Sequence, residues 1–348
     1  MMDSHAQAFS AVDRTAIAKI VASWPNRPKL AAEQMLTKYG APQEATPEKL
    51  VWHNQGPYKR ITVTKAEHHH DFPKPHMDYL EHTIEYRVPP DRAEALAAYD
   101  GSLTFDRTRG EMSARCDLEG HNILTLNLAH DIVEGKLSAK EARAAFGEHV
   151  VEDAKGEYPD YTTALRFELS RTDTKFADLP VIPGSPERPG AEGASTPNAK
   201  TTGDAEILGL MAAVDDNGIV AALEAGNRTL SAPVADYVKT LHKAYGDHLE
   251  ATLKLGSKID VIPAENAAVD RIRVKAAGEL ATLVPLEGQA FESAYVIATI
   301  QGQTEVLGLI DTQLLPRADN DKLKKHLTQT RADVAEQLGA AKALQGGL

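Results

Sequence analysis

Between Glu67 and His82 the chain reads EHHHDFPKPHMDYLEH, with five histidines (His68, His69, His70, His76 and His82) and two aspartates (Asp71 and Asp78) in sixteen residues. Imidazole nitrogens and carboxylate oxygens together suit first-row divalent ions such as zinc, nickel or copper. The candidate ligands are His68, His70, His76 and His82. Pro73 and Pro75 hold the intervening backbone extended, so His70 and His76 converge only if the chain doubles back between them. The plain alternative is a solvated, histidine-rich loop that binds metals adventitiously, and a run of three histidines also imitates an affinity tag. Of the thirteen histidines, ten precede residue 171, and only His242, His248 and His326 follow it. Histidine chemistry is thereby concentrated in the N-terminal half.

Other candidates are weaker. Arg107, Arg109, Glu111 and Arg115 alternate along a predicted strand, where the three arginines could clamp an anionic ligand or form a salt-bridged exposed face. Cys116 is the only cysteine, which excludes an internal disulfide and any multi-thiolate zinc or iron-sulfur site. Its neighbour Arg115 would favour thiolate, whereas a lone cysteine in an ordinary domain is more often a small buried apolar group. His121, His130 and His149 fall on two predicted helices. His130 and Asp131, adjacent on a helix, point about 100° apart and do not form a base and carboxylate pair by themselves. There is no glycine-rich dinucleotide or phosphate-binding loop, no Gly-x-Ser-x-Gly, no His-Glu-x-x-His and no haem signature.

The 348 residues, 42% hydrophobic and 25% charged, suffice for two domains. The net charge of -12 divides evenly between the halves, so neither carries a basic field and nucleic acid is not an expected partner. No eighteen-residue apolar run predicts a membrane span, and the start MMDSHAQAF lacks the apolar core of a signal peptide. The expectation is a cytoplasmic protein as written, with the periplasm as the alternative if a signal peptide is missing from this chain.

Residues 1–170 read as an α+β domain, with predicted helices at 11–23 and 28–39 and strands at 49–53, 59–64, 79–88, 102–106 and 111–115. Two closing helices follow, at 118–134 and 138–155, the second opened by the capping box Ser138 to Glu141. Strands in the middle and helices at both ends predict an antiparallel sheet with flanking helices. Residues 171–203, with prolines at 180, 183, 186, 189 and 197, read as a linker. Residues 204–348 divide at their punctuation into helices at 204–228, 231–257, 264–283, 286–315 and 319–344. Four long helices and one shorter crossing helix make a bundle that is ferritin-like in outline. Each apolar seam carries one strongly polar residue, His248, Gln303 or Gln337, which predicts a small polar layer in the core.

Three blocks carry a resemblance: VADYVKTLHKAYGDHLEATLKLGSKIDVIP, LEGQAFESAYVIATIQGQTEVLGLID and KLKKHLTQTRADVAEQLGAAKAL. In this order they resemble a bacterial ferritin-like family of unknown function that is labelled outer membrane protein, over nearly all of residues 204–345. The resemblance implies histidines in three blocks, and only His248 after Asp247 matches; Gln303 and Gln337 stand at the other two, and Gly218 stands where the family tends to place a glutamate. An amide is a weak metal ligand, and no Glu-x-x-His pair occurs in this half. The implied shape is ferritin-like, with its metal chemistry lost. Residues 1–170 resemble no characterised family.

The expected protein is a non-enzymatic, two-domain binding protein, its N-terminal ligand- or metal-binding module coupled to a bundle that serves stability, homo-oligomerisation or association with a protein partner. The alternative is an enzyme dependent on a divalent transition metal, with its site around His70 and His76.

Overall fold

The computed structural model describes residues 14–155, 159–170, 174–175, 178–185 and 203–347. Contacts divide the chain into two compact units, Met1–Ala177 and Asp178–Leu348.

In the first unit, α1 (Arg14–Ala22) and α2 (Asn26–Tyr39) precede β1 (Glu44–Ala45), β2 (Lys49–Gln55), β3 (Tyr58–His70) and β4 (His76–Glu85). They are followed by α3 (Ala93–Tyr99), β5 (Thr104–Asp106), β6 (Glu111–Cys116), α4 (Glu119–Val133), α5 (Ala139–Ala154) and α6 (Asp160–Thr163). The strands form one antiparallel sheet in the order β1-β2-β3-β4-β6-β5. Alternation sorts its faces: Ile61, Leu80, His82, Ile84, Met112 and Ala114 are buried beside α2 and α4, whereas Arg60, Glu81 and Arg115 point the other way. Trp52, opposite Ile61, is fully buried and its indole donates to the Gly40 carbonyl at 2.9 Å. The expected capping box is present, with Ser138 and Glu141 each bonded to the other's backbone amide.

Two strands are longer than their periodicity suggests. The segment 67–82, expected to be largely loop, continues β3 to His70 and resumes as β4 at His76, so only residues 71–75 turn. The pairing also slips between Val63 and His68: four residues separate these two on β3, against one between their partners Leu80 and Asp78 on β4. Three extra residues, an odd number, invert which side chains face the helices. From Ile61 to Val63 the odd positions do so and after the slip the even ones, and His70 stands opposite His76.

The second unit is helical: α7 (Gly203–Gly226), α8 (Ala232–Ile259), α9 (Ala267–Leu283), α10 (Gly288–Leu309), which runs on into a π-helical turn at Ile310–Leu314, and α11 (Asp321–Gln345). Helices α7 and α8 pack as a hairpin, as do α10 and α11, while α11 also meets α8 and the shorter α9 packs mainly on α7. Asn320 caps α11, its side chain accepting from the Lys322 amide at 2.9 Å, and Asp204 of α7 holds the approach, accepting from the amides of Asp319 and Asn320 at 2.8 and 3.1 Å. One apolar cluster includes Leu208, Met211, Ile310 and Leu323, and another includes Ala222, Val238, Phe291 and Tyr295. No helix among the described residues is long and apolar enough to cross a membrane.

Each unit has its own apolar clusters, built from its own residues. Limited proteolysis within 171–203 is therefore expected to release two fragments with separate cooperative melts. Loss of structure in either fragment on separation would show that the two cores depend on each other.

Candidate metal centre

The turn at residues 71–75 brings His70 and His76 face to face across the β3–β4 pair, their ring centroids 5.1 Å apart. Asp78, two residues along β4 on the same face, completes a group: its Oδ2 lies 3.4 Å from His70 Nδ1 and its Oδ1 3.1 Å from His76 Nε2. A tetrahedral zinc site with Zn–N near 2.0–2.1 Å and Zn–S near 2.3 Å places its ligand atoms roughly 3.3–3.6 Å apart. These separations are close to that spacing.

A hydrogen bond orients the His76 imidazole, and a carboxylate faces the outer nitrogen of His70. Nδ1 of His76 is 2.8 Å from the Lys74 carbonyl, an acceptor, so Nδ1 carries the proton and Nε2 is left as the ligand atom. Nε2 of His70 faces Asp100 Oδ1 at 3.6 Å, and that carboxylate is held by the Ser102 amide and hydroxyl at 2.7 and 2.8 Å. The inward atoms, His70 Nδ1 and Asp78 Oδ1, are buried and lack an aligned hydrogen-bond partner. Without a cation, Asp78 raises the pKa of His76 against the opposing effect of burial. A metal would displace that proton.

A second group shares His76. Cys116 ends β6 opposite Leu80, and its Sγ lies 3.3 Å from His76 Nε2, 3.3 Å from Asp117 Oδ1 and 3.8 Å from His121 Nδ1. Asp117 and His121 sit four residues apart at the start of α4, 3.6 Å from each other. Within each triple, His70–His76–Asp78 and His76–Cys116–Asp117, one ligand atom per residue lies within 4.8 Å of the others. Burial, then Asp117, pushes the Cys116 thiol well above its ordinary pKa, so proximity to Arg115 does not make it a thiolate. Burial would also raise Asp117, but the bonds from His121 and Cys116 outweigh it and its carboxyl titrates below the usual range.

The other candidate ligands lie elsewhere. His68 is exposed on β3. His82 is fully buried further along β4, against Tyr58, Asn122 and Glu119. The arginines do not share one strand face: Arg107 and Arg109 occupy the β5–β6 turn and Arg115 the far end of β6. Arg109 is engaged by Asp106, with Nε–Oδ2 2.8 Å. His130 stacks on Phe167 and bonds Tyr86, while Asp131 bonds Lys136 and Tyr161.

In the helical unit, Gln303 donates to Gln337 Oε1 at 3.3 Å, as partners in a buried layer should. His248 instead lies between carboxylates, 3.2 Å from Asp333 and 3.9 Å from Asp215, which sequence phase did not single out. Gly218 packs where a Cβ would come within 2.6 Å of the Tyr245 ring, so a larger side chain at that position would displace the tyrosine. Gln303→Leu is expected to cost about 1–3 kcal/mol by leaving Gln337 unpaired, and adding Gln337→Leu should cost less than the two single changes together. Urea unfolding followed by far-UV dichroism measures this; strict additivity would mean the amides are uncoupled.

A family model described as Domain of unknown function (DUF4142) matches residues 189–344, and thus the helical unit is similar to that family. No curated protein and no solved structure matches the chain.

Proposed function

We propose that the N-terminal unit binds one divalent transition-metal ion through His70, His76 and Asp78, with Cys116, Asp117 and His121 as an adjoining set. The observation that carries this reading is the convergence of His70 Nδ1 and His76 Nε2 on the buried Asp78 carboxylate at 3.4 and 3.1 Å, the other nitrogen of His76 being already committed to a carbonyl. These contacts are poorly aligned as hydrogen bonds, and a cation held by all three atoms would satisfy their lone pairs directly. Nitrogen, carboxylate and thiol donors favour zinc, cobalt(II) or copper over magnesium or calcium. The helical unit is, on this proposal, a ferritin-like bundle that serves stability or association, with amides where such a bundle would need metal ligands. Its support is the pairing of four long helices around a mid-helix polar layer.

The test is titration of chelator-treated, untagged protein with cobalt(II). One ion per chain with an intense tetrahedral visible spectrum is expected, and ligation by Cys116 would add a sulfur-to-metal band in the near ultraviolet. Weak binding of several ions with no tetrahedral spectrum would identify a histidine-rich surface and overturn the proposal.

A further inference from the structure

Strand β4 lies between β3 and β6, and the His76 ring is met from both: by His70, its partner on β3, and by Cys116, at the end of β6. Both approaches use the same atom. Nε2 of His76 stands 3.1 Å from Asp78 Oδ1 and 3.3 Å from Cys116 Sγ, while the other ring nitrogen is occupied by the Lys74 carbonyl. One imidazole nitrogen has one lone pair, so it ligates one ion at a time. Donors of a single cage would fall in one group. Among the described residues they fall in two, His70–His76–Asp78 and His76–Cys116–Asp117, with only His76 in common.

The two groups differ in chemistry. The first offers two imidazoles and a carboxylate, which suit zinc or cobalt(II). The second sets the chain's only thiol beside the same imidazole, and a thiolate with an imidazole is the softest pair in the centre, the kind that selects Cu(I), whereas a carboxylate does not. His121 Nδ1, 3.8 Å from the sulfur, brings a further imidazole to that side. Cys116 is 4% exposed and the His76 side chain 10%, so the pair is shielded from bulk water, in which free Cu(I) disproportionates.

Given the metal centre proposed above, we infer that it discriminates between metals by exclusion: a divalent ion held by His70, His76 and Asp78 and a Cu(I) ion held by Cys116 and His76 compete for His76 Nε2, so that either expels the other. Binding of Cu(I) replaces the thiol proton, which leaves to solvent, and no electron is transferred.

The experiment uses the full, untagged chain loaded with cobalt(II), to which Cu(I) is added anaerobically as its bicinchoninate complex, a competitor that keeps exposed histidines empty. Expected is loss of the visible cobalt spectrum, with about one Co(II) released per Cu(I) taken up. Cys116→Ser should keep its visible cobalt spectrum throughout, with Cu(I) affinity lowered by more than about 100-fold; Cys116→Ala repeats the test should the serine variant lose its dichroism. Asp78→Asn, or His70→Ala in its place, should do the reverse, weakening cobalt(II) by more than about tenfold and leaving Cu(I) within about threefold of the wild type. Copper bound beside an unchanged cobalt spectrum would make the two sets independent and overturn the inference alone. So would equal loss of both ions in the Cys116 and Asp78 variants, the mark of a single cage, or uptake of Cu(I) by a folded Cys116 variant as by the wild type. A chain that takes up no cobalt(II) before copper is added overturns the metal centre itself, and the inference with it.

Discussion

His76→Ala is expected to weaken binding of zinc or cobalt(II) by more than about 100-fold, because losing a group that only hydrogen-bonds a metal ligand already costs about 10–100-fold. His76 is the residue common to both ligand triples, and its Nε2 is positioned by the Lys74 carbonyl at the opposite side of the ring. Cys116→Ser should act differently. It should remove the sulfur-to-metal band while leaving the His70, His76 and Asp78 atoms in place, so affinity should fall less. His68→Ala and His82→Leu should leave affinity close to that of the wild type, since one is exposed and the other lies in a separate buried cluster. Equal losses across His68, His76 and His82 would restore the picture of a solvated histidine run. Ligation by Cys116 must also release the thiol proton that burial holds in place, so any binding through sulfur should strengthen as pH rises.

The second large effect concerns His82 and acid stability. Burial lowers its pKa to about 4, despite the opposing field of Glu119 3.7 Å away. In the unfolded chain an unperturbed histidine titrates near 6.5. Between these values the unfolded state binds the extra proton, so the stability associated with a neutral His82 is complete above about pH 6.5 and is lost as pH falls toward 4. A shift of this size corresponds to about 3 kcal/mol at most. Glu119, bonded by Lys38 and Tyr39, adds a further loss at lower pH because those bonds outweigh its burial and hold its carboxyl below the usual value. Urea midpoints of the first unit between pH 7 and 4 measure this, and His82→Leu should flatten the slope, since Asn122 keeps its bond to the Leu80 carbonyl. An unchanged slope in that variant would mean other groups carry the acid sensitivity.

Local chemistry written in the sequence determined most of the helices of this protein, though not α3, β1 or the extension of β3 and β4 into residues 67–82. Ser138 and Glu141 specify the start of α5, Pro233 falls in the first turn of α8, and the seams of α10 and α11 put Gln303 and Gln337 in one buried layer. These signals act within a turn or two of helix, where residues three and four apart share a face whatever lies beyond them. The histidines of residues 67–82 are legible in the same way as candidate ligands.

Tertiary structure alone decided which of them meet. The three-residue slip in β3 puts His70 rather than His69 on the face of His76 and Asp78, and no local alternation encodes it, because register is set by pairing with a distant strand. Cys116 reaches His76 through the β4–β6 ladder, forty residues away in sequence. Asp215 and Asp333 reach His248 from two other helices. Periodicity says which side of an element a residue occupies; the partner across the gap follows from how the sheet registers and the helices cross, and those depend on contacts summed over the whole core.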